Sequence, residues 1–354
     1  MSQGVPGVPP PKSVLDALSR TSSDPTTCGY VPNAGELSLR KAIADEMKFR
    51  YGDDADIMPE DIALTAGCNL AFFSVATTLA DAGDEMIIPI PWYFNHEMTL
   101  TTLNIKPVIL PTRPEDAFMP SPERCERLIT PKTKAIVLVT PNNPTGAVYP
   151  PSLISAFADL ARKYKIALVI DETYRDFITS GPPHHLFSSS APVRHRLGLV
   201  CASPSFISHL NTALDSIQIC APRPPQRALA PLLPSLRTFI RETADAVAHR
   251  HTLFREVLPK RWCIASQGGY YAFVRHPFVG ISASKVCQRL AEELGVVCLP
   301  AEFFGPKHNE SVQQEPERWV RFSVANVNDE KVKLVCKRLA ESETAFGWSI
   351  DPKA

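Results

Sequence analysis

The sequence predicts an α/β chain: a large unit on a mostly parallel sheet flanked by helices, followed by a small α/β unit. Two near-continuous apolar runs carry that prediction, KAIVLVT at 134–140 and IALVID at 166–171. Strands that are apolar on both sides belong to sheets covered on both faces, as parallel sheets are. Residues 151–164 between them have helical apolar spacing, and strand–helix–strand alternation marks a parallel crossover. Size is the third observation, because 354 residues suit a large body with a smaller companion.

In chain order, a short helix starts over 14–19, and Leu37, Leu39, Ile43 and Met47 recur at helical spacing within 36–49. Residues 61–64 read as a strand that turns through Ala66-Gly67-Cys68 into an apolar helix reaching about residue 80. Residues 85–89 and 106–110 are strand-like, with a helical stretch between them. A long helix over 234–258 places Leu236, Phe239, Ile240, Val247, Phe254 and Leu258 on one stripe. GYYAFVRH (269–276), GVVCLP (295–300) and WVRFSVAN (319–326) are strand-like, with helices over 282–294 and from near Asn328. The PRPP segment at 222–225 reads as a turn at a domain edge. That places a large domain at 27–233 and a small domain at 1–26 plus 234–354.

Lysine plus arginine and aspartate plus glutamate each total 37, so no net field attracts nucleic acid or an anionic membrane. No apolar stretch approaches the roughly 18 residues a membrane span needs. The nine cysteines form no CxxC pair, which fits reduced thiols. The reading is a soluble cytoplasmic protein with a small-molecule partner.

Functional groups in a parallel sheet gather at the carboxyl ends of its strands, and four motifs lie there. In TAGCN, 65–69, a small-residue turn opens a helix whose N–H groups suit a phosphate, although a plain tight turn has the same look. PWYFNH, 91–96, puts aromatics where a flat ring can stack, or where core is needed. TPNNPTG, 140–146, is more specific: two prolines and a glycine fix a loop that presents the Asn143 amide. VIDETYRDF, 169–177, ends an apolar strand on Asp171, a carboxylate that invites a cation or donor unless it is a helix cap.

Together these residues resemble the class I/II aminotransferases, the fold-type I enzymes that use pyridoxal 5'-phosphate, across nearly the whole chain. The resemblance implies a fold-type I large domain with a small α/β domain, and a homodimer acting on an amino acid and a 2-oxo acid. It implies that Gly67 and Cys68 hold the cofactor phosphate with Arg196 of RLG, and that Tyr93 stacks on the ring. Asn143 and Tyr174 then meet the phenolic oxygen, and Asp171 meets the pyridine nitrogen. Tyr30 of YVPNAG reaches the phosphate in the neighbouring subunit. Gly4 of GVPGVPPP belongs to the substrate loop, and Arg321 holds the substrate carboxylate by a two-pronged contact.

One family element has no counterpart. The family sets its cofactor-linked lysine eight residues before the RLG arginine, which here reaches Ser188. No lysine occurs from Ile166 to Pro259, and Lys163 and Lys165 fall at the far end of the strand. Asp171 and Arg196 are also only 25 residues apart, which looks like a deletion that removes a strand, either in a genuinely lysine-less protein or through a coding segment lost from an ordinary aminotransferase-like sequence. The family's N-terminal arm has no counterpart either, and Arg194 stands where the family has glycine. The leading function is an aminotransferase. The alternatives are a lysine-less cofactor-binding homologue, or a lyase of the carbon–sulfur or aminocyclopropane-carboxylate-synthase-like kind.

Overall fold

The computed structural model describes residues 1–187, 195–197, 200–306 and 317–352, with the backbone alone at 195–197. Seven strands form the large sheet: β1 (Ile62–Ala63), β2 (Glu85–Ile90), β3 (Lys106–Pro111), β4 (Thr133–Val139), β5 (Ala167–Asp171), β6 (His195–Leu197) and β7 (Val200–Ala202). Their order is β1-β7-β6-β5-β4-β2-β3. Every pairing from β3 through β6 is parallel, whereas β7 runs antiparallel to both β6 and β1.

Alternate residues of these strands feed two cores, as the period of two demands. Met86, Ile88, Ala135, Val137 and Val169 face α3 (Cys68–Leu79), α4 (Phe94–Thr102) and α7 (Pro204–Ile217). Ile87, Ile136, Leu138, Leu168 and Ile170 face α5 (Pro122–Glu126) and α6 (Pro151–Tyr164). On that side Phe157 of α6 is fully buried, and Phe157→Ala carries the cost of about 3–5 kcal/mol typical of such truncations.

The second sheet has the order β10-β11-β9-β8, all antiparallel, from β8 (Cys263–Gly268), β9 (Tyr271–Arg275), β10 (Leu299–Pro300) and β11 (Trp319–Ser323). Its core packs Val247 and Phe254 of α9 (Leu233–Val257), Val286 and Leu290 of α10 (Ala283–Leu294), and Val332 and Leu339 of α11 (Asp329–Ala345). The N-terminal helices α1 (Lys12–Ser22) and α2 (Leu37–Tyr51) precede the large sheet. Gly146 and Gly268 join the two bodies backbone to backbone. A Cβ on Gly146, at φ +72°, would lie 2.3 Å from the Tyr271 carbonyl, and one on Gly268 would lie 2.5 Å from the Gly146 carbonyl. The Ser266 hydroxyl donates to the Thr145 carbonyl at 2.6 Å beside them.

Two sequence expectations need correction. The PRPP segment is no turn: it enters the helix α8 (Arg223–Leu229), whose first turn tolerates proline because its N–H groups have no helical partner. GVVCLP is extended only at Leu299–Pro300, since Gly295 ends α10 in the left-handed region. Beside β5 lies β6, pairing Ile170 with Arg196 and Asp171 with Leu197.

Candidate active site

The carboxyl ends of β2, β4 and β5 converge, and Asp171, the last residue of β5, is 3% exposed there. Its Oδ1 accepts from the Thr173 backbone N–H at 3.0 Å and the Thr173 hydroxyl at 2.7 Å. Its Oδ2 lies 3.2 Å from Nε2 of His96, a buried residue of α4 whose ring packs on Phe72. Burial alone would raise the Asp171 carboxyl. The His96 hydrogen bond and charge, with the Thr173 donors, outweigh it and hold the group below the usual carboxylate value. Burial and the Asp171 charge push the adjacent Cys68 thiol up to about 12, so it is a neutral neighbour at physiological pH.

Asn143 and Arg321 meet across the two bodies. The Asn143 Oδ1 accepts from Nη1 of Arg321 at 2.9 Å. Asn142 has another task, for its Oδ1 accepts from the Thr145 backbone and hydroxyl at 3.0 and 2.8 Å and so pins the loop. Arg321 is 4% exposed, lies over the rings of Tyr271 and Phe304, and donates through Nη2 to the Ser2 carbonyl. Its Nε is buried without a partner. Burial lowers its pKa, and only tyrosines oppose that. A buried guanidinium with a donor to spare is made for a carboxylate.

The Tyr174 hydroxyl is 2.8 Å from that of Tyr271, and burial followed by the Tyr271 neighbour raises Tyr174 far above its ordinary value. Gly4 brings the N-terminal loop onto this pair, since a Cβ there would lie 1.8 Å from the Tyr271 hydroxyl oxygen. Tyr93 precedes α4, and its hydroxyl accepts from Asn95 at 2.8 Å and meets Asn69 Oδ1 at 3.3 Å. Gly67 is the N-cap of α3 and Cys68 its first residue, and no side chain caps that helix. Its leading N–H groups are therefore open to an anion.

Most of the residues singled out in the sequence thus share one site. Tyr30 does not join them: it is 82% exposed. The Arg196 side chain and Ser188 lie outside the described residues. Sequence reasoning passed over His96, Thr173 and Tyr271. The signal for His96 was its position one helical turn after Tyr93.

The family model for aminotransferase class I and II matches residues 1–339. This chain belongs to that family. Among its relatives, the aspartate/prephenate aminotransferase of Thermus thermophilus is 31% identical over 327 residues, covering 86% of this chain and 83% of that protein. A probable aspartate/prephenate aminotransferase of Thermus aquaticus is 35% identical over 206 residues, covering 58% of this chain and 52% of the relative. A solved tetra mutant of Thermus thermophilus aspartate aminotransferase superposes with a TM-score of 0.86 at 26% identity, covering 96% of this chain and 95% of that one. The fold is that of the fold-type I enzymes, and the protein is an aminotransferase. No helix of this aminotransferase, among the described residues, is long and apolar enough to cross a membrane.

Proposed function

We propose that this chain moves an amino group between an amino acid and a 2-oxo acid using pyridoxal 5'-phosphate, and the Asp171–Asn143–Arg321 arrangement carries the reading. The residues present fit the cofactor's ring and phosphate, given the buried anionic Asp171 and the uncapped start of α3. The cofactor, when bound, supplies an electron sink for charge developing at the amino acid's α-carbon. Asp171, ionised at neutral pH, keeps a proton on the ring nitrogen. Asn143 gives its Oδ1 to Arg321 and so leaves its amide N–H groups for the phenolic oxygen, beside the neutral Tyr174 hydroxyl. Tyr93 stacks on the ring, while Gly67, Cys68 and Arg196 hold the phosphate. Arg321 takes the substrate carboxylate through its unpartnered Nε, with Gly4 closing the loop above it. The exposed Tyr30 completes the partner subunit's site in a homodimer, so a monomer binding the cofactor normally in sedimentation runs refutes the assembly. All nine cysteines are free thiols, which supports a cytoplasmic setting.

The residues do not fit a covalent hold. With no lysine from Ile166 to Pro259, the chain binds the cofactor without a bond to its aldehyde and lacks the family's proton carrier. This favours a second reading, a cofactor-binding homologue with weak activity. Borohydride treatment of the loaded protein tests it. The expected result is no labelled lysine, with transamination at least about 10²-fold below a version carrying a restored lysine segment. Stoichiometric labelling of one lysine with ordinary turnover refutes it.

A further inference from the structure

We infer that Cys287 and Cys298 form an oxidative modification site, closed to a disulfide by a small peroxide, that acts on the strand carrying Arg321. The Cys298 thiol donates to the Cys287 sulfur at 3.5 Å. The first lies just before β10 and the second inside α10, at 5% and 7% exposure, so a small oxidant reaches them and a bulky one does not. Glu302 sits beside them, its Oε1 accepting from the Ser284 backbone. The Cys298 hydrogen bond, burial and the Cys298 and Glu302 charges raise the Cys287 thiol.

One sulfur, after losing its proton, attacks hydrogen peroxide as the thiolate and becomes a sulfenic acid, while the departing hydroxide takes up that proton as water. The second sulfur then displaces the hydroxyl, which departs as a second water with the remaining thiol proton. Each sulfur gives up one electron and the peroxide takes two.

The consequence follows from register. Leu299, next to Cys298, pairs directly with Arg321 across β10 and β11. Val296 is already tied to Leu290 of α10 by a 2.8 Å backbone bond, so the chain between the cysteines has little slack. Drawing sulfurs from 3.5 Å to a bond of about 2 Å pulls β10 toward α10. Arg321 then shifts against Asn143, which belongs to the other body and does not follow.

The test treats the full chain with hydrogen peroxide, removes the peroxide, denatures the protein in iodoacetamide to block residual thiols and maps the tryptic peptides. The expected product joins the peptide at 286–289 to the one beginning at Leu290, vanishes with dithiothreitol and is missing in Cys287→Ala. If both thiols are alkylated while the exposed Cys28 and Cys263 have reacted, or if the link forms only as circular dichroism reports unfolding, the site is refuted. The effect on Arg321 rests on the aminotransferase reading, and calorimetry with 2-oxoglutarate should show affinity falling about fivefold or more on crosslinking, with no change in treated Cys287→Ala. Unchanged affinity in the crosslinked protein overturns the coupling. A reduced protein that fails to bind 2-oxoglutarate counts against the aminotransferase reading, while the peptide map decides the crosslink independently.

Discussion

His96→Phe removes the donor that keeps a buried carboxylate charged while preserving a flat ring against Phe72. In the native protein Asp171 titrates below its unfolded value. It therefore stabilises the fold above about pH 3.9, and that contribution is lost as pH falls through the folded value. Without His96 the burial effect is opposed by the Thr173 donors alone, and the folded value moves up from its native one. The variant's carboxyl then contributes less to stability as pH climbs. A hydrogen bond to a charged group contributes about 1.5–3 kcal/mol, which corresponds to a rise of about one to two pKa units. Urea unfolding from pH 3 to pH 7 should show the gap between native protein and variant widening by about that energy. A gap that stays constant across the range would mean that only packing was lost, and the electrostatic argument would fail.

Arg321→Ala should weaken 2-oxo acid binding by about 2–5 kcal/mol while cofactor absorbance titrations change little. Loss of cofactor with retained oxo-acid affinity would reverse the assignment. His276 is fully buried, and burial, then Arg318 and Arg275, hold it near 3 against an ordinary 6.5. Its neutral form supports the fold above about pH 6.5, and roughly 1.4 kcal/mol per pH unit should be lost as acid charges the unfolded chain instead. His276→Gln should flatten that slope in melts between pH 6.5 and pH 4.5, and an unchanged slope refutes the assignment.

The two buried parallel strands were legible because covered sheets demand apolar residues on both faces, and α6 was legible through its single apolar stripe. Helix α8 was not, because Pro222, Pro224 and Pro225 crowd its start and read locally as a turn. Asp171 and Asn143 stood out as polar groups closing apolar strands. His96 did not, since a lone histidine in a short, largely polar helix carries no apolar spacing signal. The Ser2 contact to Arg321 was beyond reach, because a carbonyl has no residue signature.

The seam at Gly146 and Gly268 also sets how the molecule can breathe. Two backbones in contact cannot slide past each other, so the seam resists shear between the bodies. Asn143 lies three residues from it, and Tyr271, whose ring carries the Arg321 guanidinium, touches it directly. Asn143 and Arg321, beside that seam, are therefore the pair that it holds most firmly in register.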